Sequence, residues 1–389
     1  LNEDSFIPGE LDASALEETW QRLHAIPEPG FEEVRTSRWI ESQLTAAGFS
    51  VRYLGKTGLL ASLEGRGPGP SIALRADMDA LSFRREDGTA YCSHACGHDA
   101  HCTMVLSAGK YFAVHPPARG TLYLLFQPGE ETMHGAREML RCGLPHLDGM
   151  LGIHLRPRSE LPLGRATPAL LHCASIPITA RFRGRASHAA RPQLGINAVS
   201  AAARAVTAVD EIRLDRPGGL WSAKATVIDS QGNLRNVIPE FCSVSFDLRA
   251  ETNDIGKRLT DAVETAVRAA AHRLGCTAVL ETEQGFAPEY DPQLTELARL
   301  AITDVLGVAD PPLHTPGSED FHAYSALGDI PTAYIGLGAD LEPGLHSPQM
   351  HFDHACMSPG TRILIDAVNR CLQLPRRTEA ADSTPLGTA

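Results

Sequence analysis

Two rhythms of apolar residues divide this chain. Up to about residue 175, helical spacing alternates with short apolar runs: Asp12 stands where a cap would open a helix to about Ile26, and Arg35 to Ala47 keeps Ile40 and Leu44 on one face. Ser71-Ile72-Ala73-Leu74-Arg75 and the wholly apolar Leu122-Tyr123-Leu124-Leu125-Phe126 predict buried strands. Between them a helix after Asp99 carries Met104, Val105, Ala108 and Phe112 on one side. Buried strands separated by helices predict an α/β domain whose central sheet is covered on both faces.

Near residue 175 strict alternation takes over: Ile176, Ile178, Ala180 and Phe182 alternate with Thr179, Arg181 and Arg183, the pattern of a sheet with one exposed face. A helix from Ile196 to Ile212, strands at Ala223 to Asp229 and around Cys242 to Arg249, a helix from Asp254 to Arg273 and a strand at Thr277 to Glu283 complete a β-α-β-β-α-β order. That is the ferredoxin-like α+β plan. The α/β grammar returns at Thr332-Ala333-Tyr334-Ile335-Gly336 and in a helix from Thr361 to Leu374. Two domains are therefore expected: a discontinuous α/β domain over 1–174 and 289–375, with 175–288 inserted, followed by a polar tail over 376–389 expected to be disordered.

Composition narrows the function classes. The 389 residues are 43% hydrophobic, enough for two buried cores. A formal charge of −12, without a basic cluster interleaved with aromatics, argues against nucleic acid or an anionic membrane as a partner. Nine scattered cysteines without a Cys-x-x-Cys pair suit a reducing compartment. The amino terminus is polar and acidic and no apolar run approaches membrane-spanning length, so the expectation is a soluble cytoplasmic protein.

Histidine, cysteine and carboxylate then gather in short segments: His94-Ala95-Cys96-Gly97-His98-Asp99-Ala100-His101, Gln127-Pro128-Gly129-Glu130-Glu131, Gly152-Ile153-His154 and Gly344-Leu345-His346-Ser347-Pro348. Such donors can hold two divalent ions, which points to a metal-assisted hydrolase. Cys96 and His98, with Gly97 between, can reach one ion from a tight turn, although a buried Cys near a His is more often plain packing. Glu131 and His154 each follow a predicted strand, and ligands at the carboxyl ends of strands converge on one crevice. Asp77 and Asp79 read either as strand-end caps or as carboxylates that accept the ring N–H of a metal-bound histidine. Of Glu130 and Glu131, one can bind metal while the other moves protons, or both can simply open the next helix. His188, at a strand-to-helix turn, is either an exposed loop residue or an oxyanion contact.

With these residues in place the chain resembles the M20 metallopeptidase family, most closely its aminoacylase and hippurate-hydrolase-like amidohydrolase branch. The resemblance runs from Leu74-Arg75-Ala76-Asp77-Met78-Asp79-Ala80-Leu81 through the Cys-Gly-His and Glu-Glu segments to Asn236-Val237-Ile238-Pro239, Gly317-Ser318-Glu319-Asp320-Phe321 and Leu345-His346-Ser347-Pro348. It implies a zinc-peptidase-like α/β catalytic domain with an inserted lid and dimerisation domain. It also implies two metal ions on Cys96, His98, Glu131, His154 and His346, with Glu130 as general base. His346 has no local spacing that singles it out and rests on the resemblance. So do His188 as an oxyanion contact in the partner's site of a homodimer, and Asn236 and Arg249 as substrate contacts. Departures include Ser82, Gly129, Ala186-Ser187, and Arg235 beside Asn236.

The expected reaction is cleavage of the amide of an N-acyl amino acid, a small-molecule substrate, by a metal-bridging hydroxide with Glu130 as base. The alternatives are a dipeptidase, carboxypeptidase or hydrolase of another amide, a metal-binding protein without turnover, and thiol catalysis by Cys96. The ligand set suits zinc by its thiolate and manganese, cobalt or nickel by its carboxylate and imidazoles.

Overall fold

A computed structural model describes residues 11–215, 218–230 and 234–377. In chain order the helices are α1 (Ala13–His24), α2 (Val34–Ala46), α3 (His98–Val114), α4 (Gly135–Arg141), α5 (Ala198–Asp210), α6 (Asn253–Arg273), α7 (Pro292–Leu306), α8 (Ala323–Gly328) and α9 (Met357–Cys371). The strands are β1 (Ser50–Leu54), β2 (Gly58–Glu64), β3 (Ser71–Asp77), β4 (Leu81–Arg84), β5 (Ala90–Ser93), β6 (Thr121–Gln127), β7 (Gly149–Pro157), β8 (Ala166–Thr167), β9 (Leu170–His172), β10 (Ala174–Arg183), β11 (Ser187–His188), β12 (Trp221–Asp229), β13 (Val237–Ile238), β14 (Phe241–Ala250), β15 (Thr277–Thr282), β16 (Leu313–Thr315) and β17 (Thr332–Leu341). The chain forms two compact units, one of Leu1–Leu170, Glu289–Leu313 and Ala323–Ala389, the other of Leu171–Pro288 and His314–His322.

The first unit is built on a seven-stranded sheet in the order β1-β2-β6-β3-β7-β17-β8. Its central strands β6, β3, β7 and β17 are parallel. Ile72, Leu74, Leu122, Leu124, Leu151, Ile153 and Ile335 are all buried, as strands covered on both faces require. Asp12 caps α1 by accepting the N–H of Ser14, as the sequence predicts. Helix α3 is enclosed almost completely over its first turns, and α1 and α9 pack on it. The α3–α9 contact depends on Gly360, where a Cβ would stand 2.3 Å from Met104 Sδ. Helix α9 starts at Met357, before the predicted Thr361, because a 3-10 turn over His354–Cys356, capped by Asp353, leads directly into it. Within the predicted tail, Arg377 is tied to Asp148 through its N–H and to Asp291 through its guanidinium; residues 378–389 lie outside the described residues.

The second unit is a four-stranded antiparallel sheet in the order β12-β14-β10-β15, with α5 and α6 against it. This is the ferredoxin-like arrangement expected from β-α-β-β-α-β. Its core joins Ile176, Ile178, Phe182, Val244, Phe246 and Leu248 to Ile255, Leu259 and Val263 of α6. The segment His314–His322 joins this unit, held by the Cys173 N–H donating to the Gly317 carbonyl at 3.0 Å and by Arg249 to Ser318 Oγ at 3.4 Å. Among the described residues no helix is long and apolar enough to cross a membrane.

Candidate metal centre

Four segments of the first unit bring candidate donor atoms close together. After β5, Gly97 takes a left-handed φ of 89° and turns the chain into α3, so that His98 becomes the first residue of the helix. After β6, Gly129 at φ 64° leads into a short 3-10 turn that carries Glu130 and Glu131. His154 lies inside β7 rather than beyond it, because β17 continues its pairing past this point. His346 sits in the loop after β17, and its N–H donates to the Ala95 carbonyl at 2.7 Å, which ties this loop to the Cys96 turn.

The donor atoms of Cys96, His98 and His154 lie within 4.8 Å of one another, as do those of Cys96, Glu131 and His346, and those of His98, Glu130 and Glu131. Cys96 belongs to two of these groups, so the donors outline two neighbouring cation positions. Cys96 Sγ is 3.5 Å from His154 Nε2, and His346 Nε2 is 3.5 Å from Glu131 Oε2. Two donors, His98 Nε2 and Glu131 Oε1, are buried with no hydrogen-bond partner. Buried polar atoms seldom remain unsatisfied, and a divalent ion would satisfy both. The residues present therefore fit the group that the sequence implies.

Backbone carbonyls and carboxylates around this set orient the candidate ligands. Asp79 accepts the His98 Nδ1–H on its carbonyl at 2.9 Å, and its Oδ2 accepts the Glu131 N–H at 2.9 Å. His154 donates Nδ1–H to the Leu155 carbonyl at 2.6 Å, which leaves Nε2 as the lone-pair nitrogen. Burial, aided by Arg156, pushes His154 well below the usual histidine range, which favours the neutral imidazole. Burial pushes the Cys96 thiol up, and it also raises Glu131 against the pull of His98 and His346. A bound cation reverses that cost by favouring the thiolate and the carboxylate. Burial opposes charge on His98 too, yet Asp77 and Cys96 outweigh it and hold the imidazole well above its usual range. That pull toward positive charge at Nε2 can be met by a proton or by a metal ion.

Asp77 is fully buried. Its ionisation is opposed by burial but favoured more strongly by His98, Arg75 and His101, which hold it well below the usual carboxylate range. Arg75, also buried, donates to Asp77 Oδ2 at 2.5 Å and to Gln127 Oε1 at 2.9 Å, and Tyr324 shares the same Gln127 oxygen. Sequence reasoning assigned no role to Arg75, Gln127, Tyr324 or His101. The available signal was an arginine closing an apolar strand and a third histidine one turn into α3.

The other predicted residues belong to the second unit. His188 is exposed on the ribbon β11–β13, paired with Val237, and its Nδ1 accepts the Ala190 N–H at 3.0 Å. Asn236, also exposed, accepts the Ala189 N–H on its carbonyl, so these two residues come together. Arg249 is on β14 and pairs with Asp247 at 2.7 and 3.0 Å. Arg235 is exposed.

The chain matches the profile of peptidase family M20/M25/M40 over residues 73–370. It belongs to peptidase family M20. It is 33% identical over 370 residues to "IAA-amino acid hydrolase ILR1-like 2" of Arabidopsis thaliana, covering 88% of this chain and 82% of that protein. It is 29% identical to "N-acetyl-L-cysteine deacetylase" of Bacillus subtilis, covering 93% and 89%, and 31% identical to an "N-acetyldiaminopimelate deacetylase" of Streptococcus suis, covering 90% and 96%. Among solved structures, the Bacillus subtilis YXEP protein, described as a dinuclear metal binding peptidase from the M20 family, shares the fold at TM-score 0.79 and 23% identity, covering 92% and 98%.

Proposed function

We propose that this M20 protein is a metal-dependent amidohydrolase of N-acyl amino acids. In this reading Cys96, His98, Glu131, His154 and His346 hold two divalent ions, and Glu130 is the general base. The observation that carries it is the pair of orphaned donors, His98 Nε2 and Glu131 Oε1, buried among the other candidate ligands. The relatives' names support the substrate class, since two are deacetylases of N-acetyl compounds and one is an IAA-amino acid hydrolase. Two bound ions would lower the pKa of a bound water toward neutrality and polarise the amide carbonyl. Glu130, in the turn beside Glu131, accepts the proton of the attacking water and passes it to the leaving nitrogen. The C–N bond breaks and a carboxylate and an amine depart. His188 supports oxyanion stabilisation, because its Nδ1 accepts the Ala190 N–H and its proton is therefore on Nε2, ready to donate. Asn236 and Arg249 are assigned to the substrate.

Release of free amine from a panel of N-acyl amino acids, dipeptides and aryl amides tests this reading. Chelation is expected to abolish cleavage, and manganese, zinc, cobalt or nickel to restore it. The ion that restores most activity identifies the metal. Full activity in protein shown to be metal-free would instead favour thiol catalysis by Cys96.

The second unit serves, in this proposal, as lid and dimerisation module, with His188 acting in the partner's site. Strand β12 is a sheet edge that exposes Val227 and Ile228, a surface suited to pairing. Sedimentation is expected to give twice the 41.8 kDa chain mass, and a fully active monomer would defeat the assignment. The nine free thiols suit a reducing cytoplasm.

A further inference from the structure

The third histidine of the Cys-Gly-His segment, His101, is buried and has both ring nitrogens engaged. Its Nε2 lies 3.0 Å from the Leu155 N, and its Nδ1 lies 2.7 Å from Asp77 Oδ1. A backbone N–H can only donate, so Nε2 is the acceptor, the proton is on Nδ1, and Asp77 receives it. With neither nitrogen available, His101 is not itself a ligand, although it stands 4.5 Å, ring to ring, from His154.

The sheet explains why a side chain is needed at this point. Strand β3 pairs with β7 only as far as Arg75 opposite Gly152, whereas β17 continues beside β7 to Pro157. Beyond Gly152, then, β7 has a strand on one side only, and the buried Leu155 N–H must find its acceptor elsewhere. His101 supplies it from α3. The same residue, Leu155, offers its carbonyl to His154 Nδ1–H. One imidazole thus connects Asp77, which lies 3.8 Å from His98 Nε2, to the backbone that orients His154.

We propose that His101 is a positioning residue for the metal centre, standing in for the missing strand beside Leu155 and locking His154 Nε2 toward Cys96. This rests on the reading of His98 and His154 as ligands.

The test is calorimetric titration of manganese into chelated wild type, His101→Leu and His101→Gln, with kinetics at saturating manganese. His101→Leu is expected to weaken manganese binding by about 10- to 100-fold, the usual effect of losing a group that orients a ligand. Saturating manganese should then recover much of kcat with little change in KM. His101→Gln, whose amide oxygen can accept the Leu155 N–H, should restore part of the affinity. A lowered Tm with manganese affinity unchanged would show a merely structural role and overturn the proposal.

Wild type provides a second readout that does not depend on a variant folding. Long-range proton–nitrogen correlation should find the His101 proton on Nδ1, and the Leu155 amide should exchange slowly. A proton on Nε2 overturns the proposal. If wild type binds no manganese, zinc or cobalt, the ligand reading itself fails; if wild type binds and His101→Leu binds equally well, only the positioning role fails.

Discussion

Glu130→Gln is expected to lower kcat by about two to four orders of magnitude while leaving the metal content unchanged, the usual loss when a general base is removed. Glutamine keeps the size and the polar contacts of the side chain but cannot accept a proton from water at neutral pH. Glu130 is buried in the turn after β6, so no solvent carboxylate can readily replace it. KM should change little, because the group acts in the transition state more than in substrate binding. The check is steady-state kinetics on the best substrate, together with elemental analysis of the purified variant. Wild-type turnover would refute the assignment. Loss of metal along with activity would instead place Glu130 among the ligands, which its proximity to His98 Nε2, 3.8 Å, permits.

Asp77→Asn is expected to give the largest stability loss of any single change near the site, about 3–5 kcal/mol, because it removes one partner of a buried charge pair. Arg75 would be left charged in the interior, and His101 and His98 would lose the negative charge they face. Urea unfolding in the presence of chelator separates this effect from metal binding. The sign with pH follows from the depressed folded pKa of Asp77. Its contribution is fully present above the unfolded carboxylate value of about 4 and declines as pH falls from there toward the folded value. The gap between wild type and variant should therefore be widest near neutral pH and narrow on acidification. A gap that is small at neutral pH, or that grows in acid, would contradict the buried ion pair.

Much of the architecture was legible from periodicity. The apolar run Leu122–Phe126 became a buried parallel strand, and the alternating residues of Ile176–Phe182 became a strand with one open face. Element ends were less legible: α9 opens four residues before its predicted start, where a capped 3-10 turn feeds it. The site was legible in part. Cys96, His98, Glu130 and Glu131 stand in compact segments whose turns are marked by Gly97 and Gly129. His346 had no such marker, and it is an inter-loop hydrogen bond to Ala95 that brings it beside Glu131.

The division has a physical cause. Helical and strand periods, turn glycines and the Asp12 cap reflect interactions between residues a few positions apart, and these are written locally in the chain. Which buried polar atom meets which partner is settled only when distant segments close on one another. Arg75 and His101 illustrate this: the pairing of β3 with β7 ends at Gly152 while β7 continues, leaving the Leu155 N–H to His101, and the buried Asp77 carboxylate is met by Arg75 and His101.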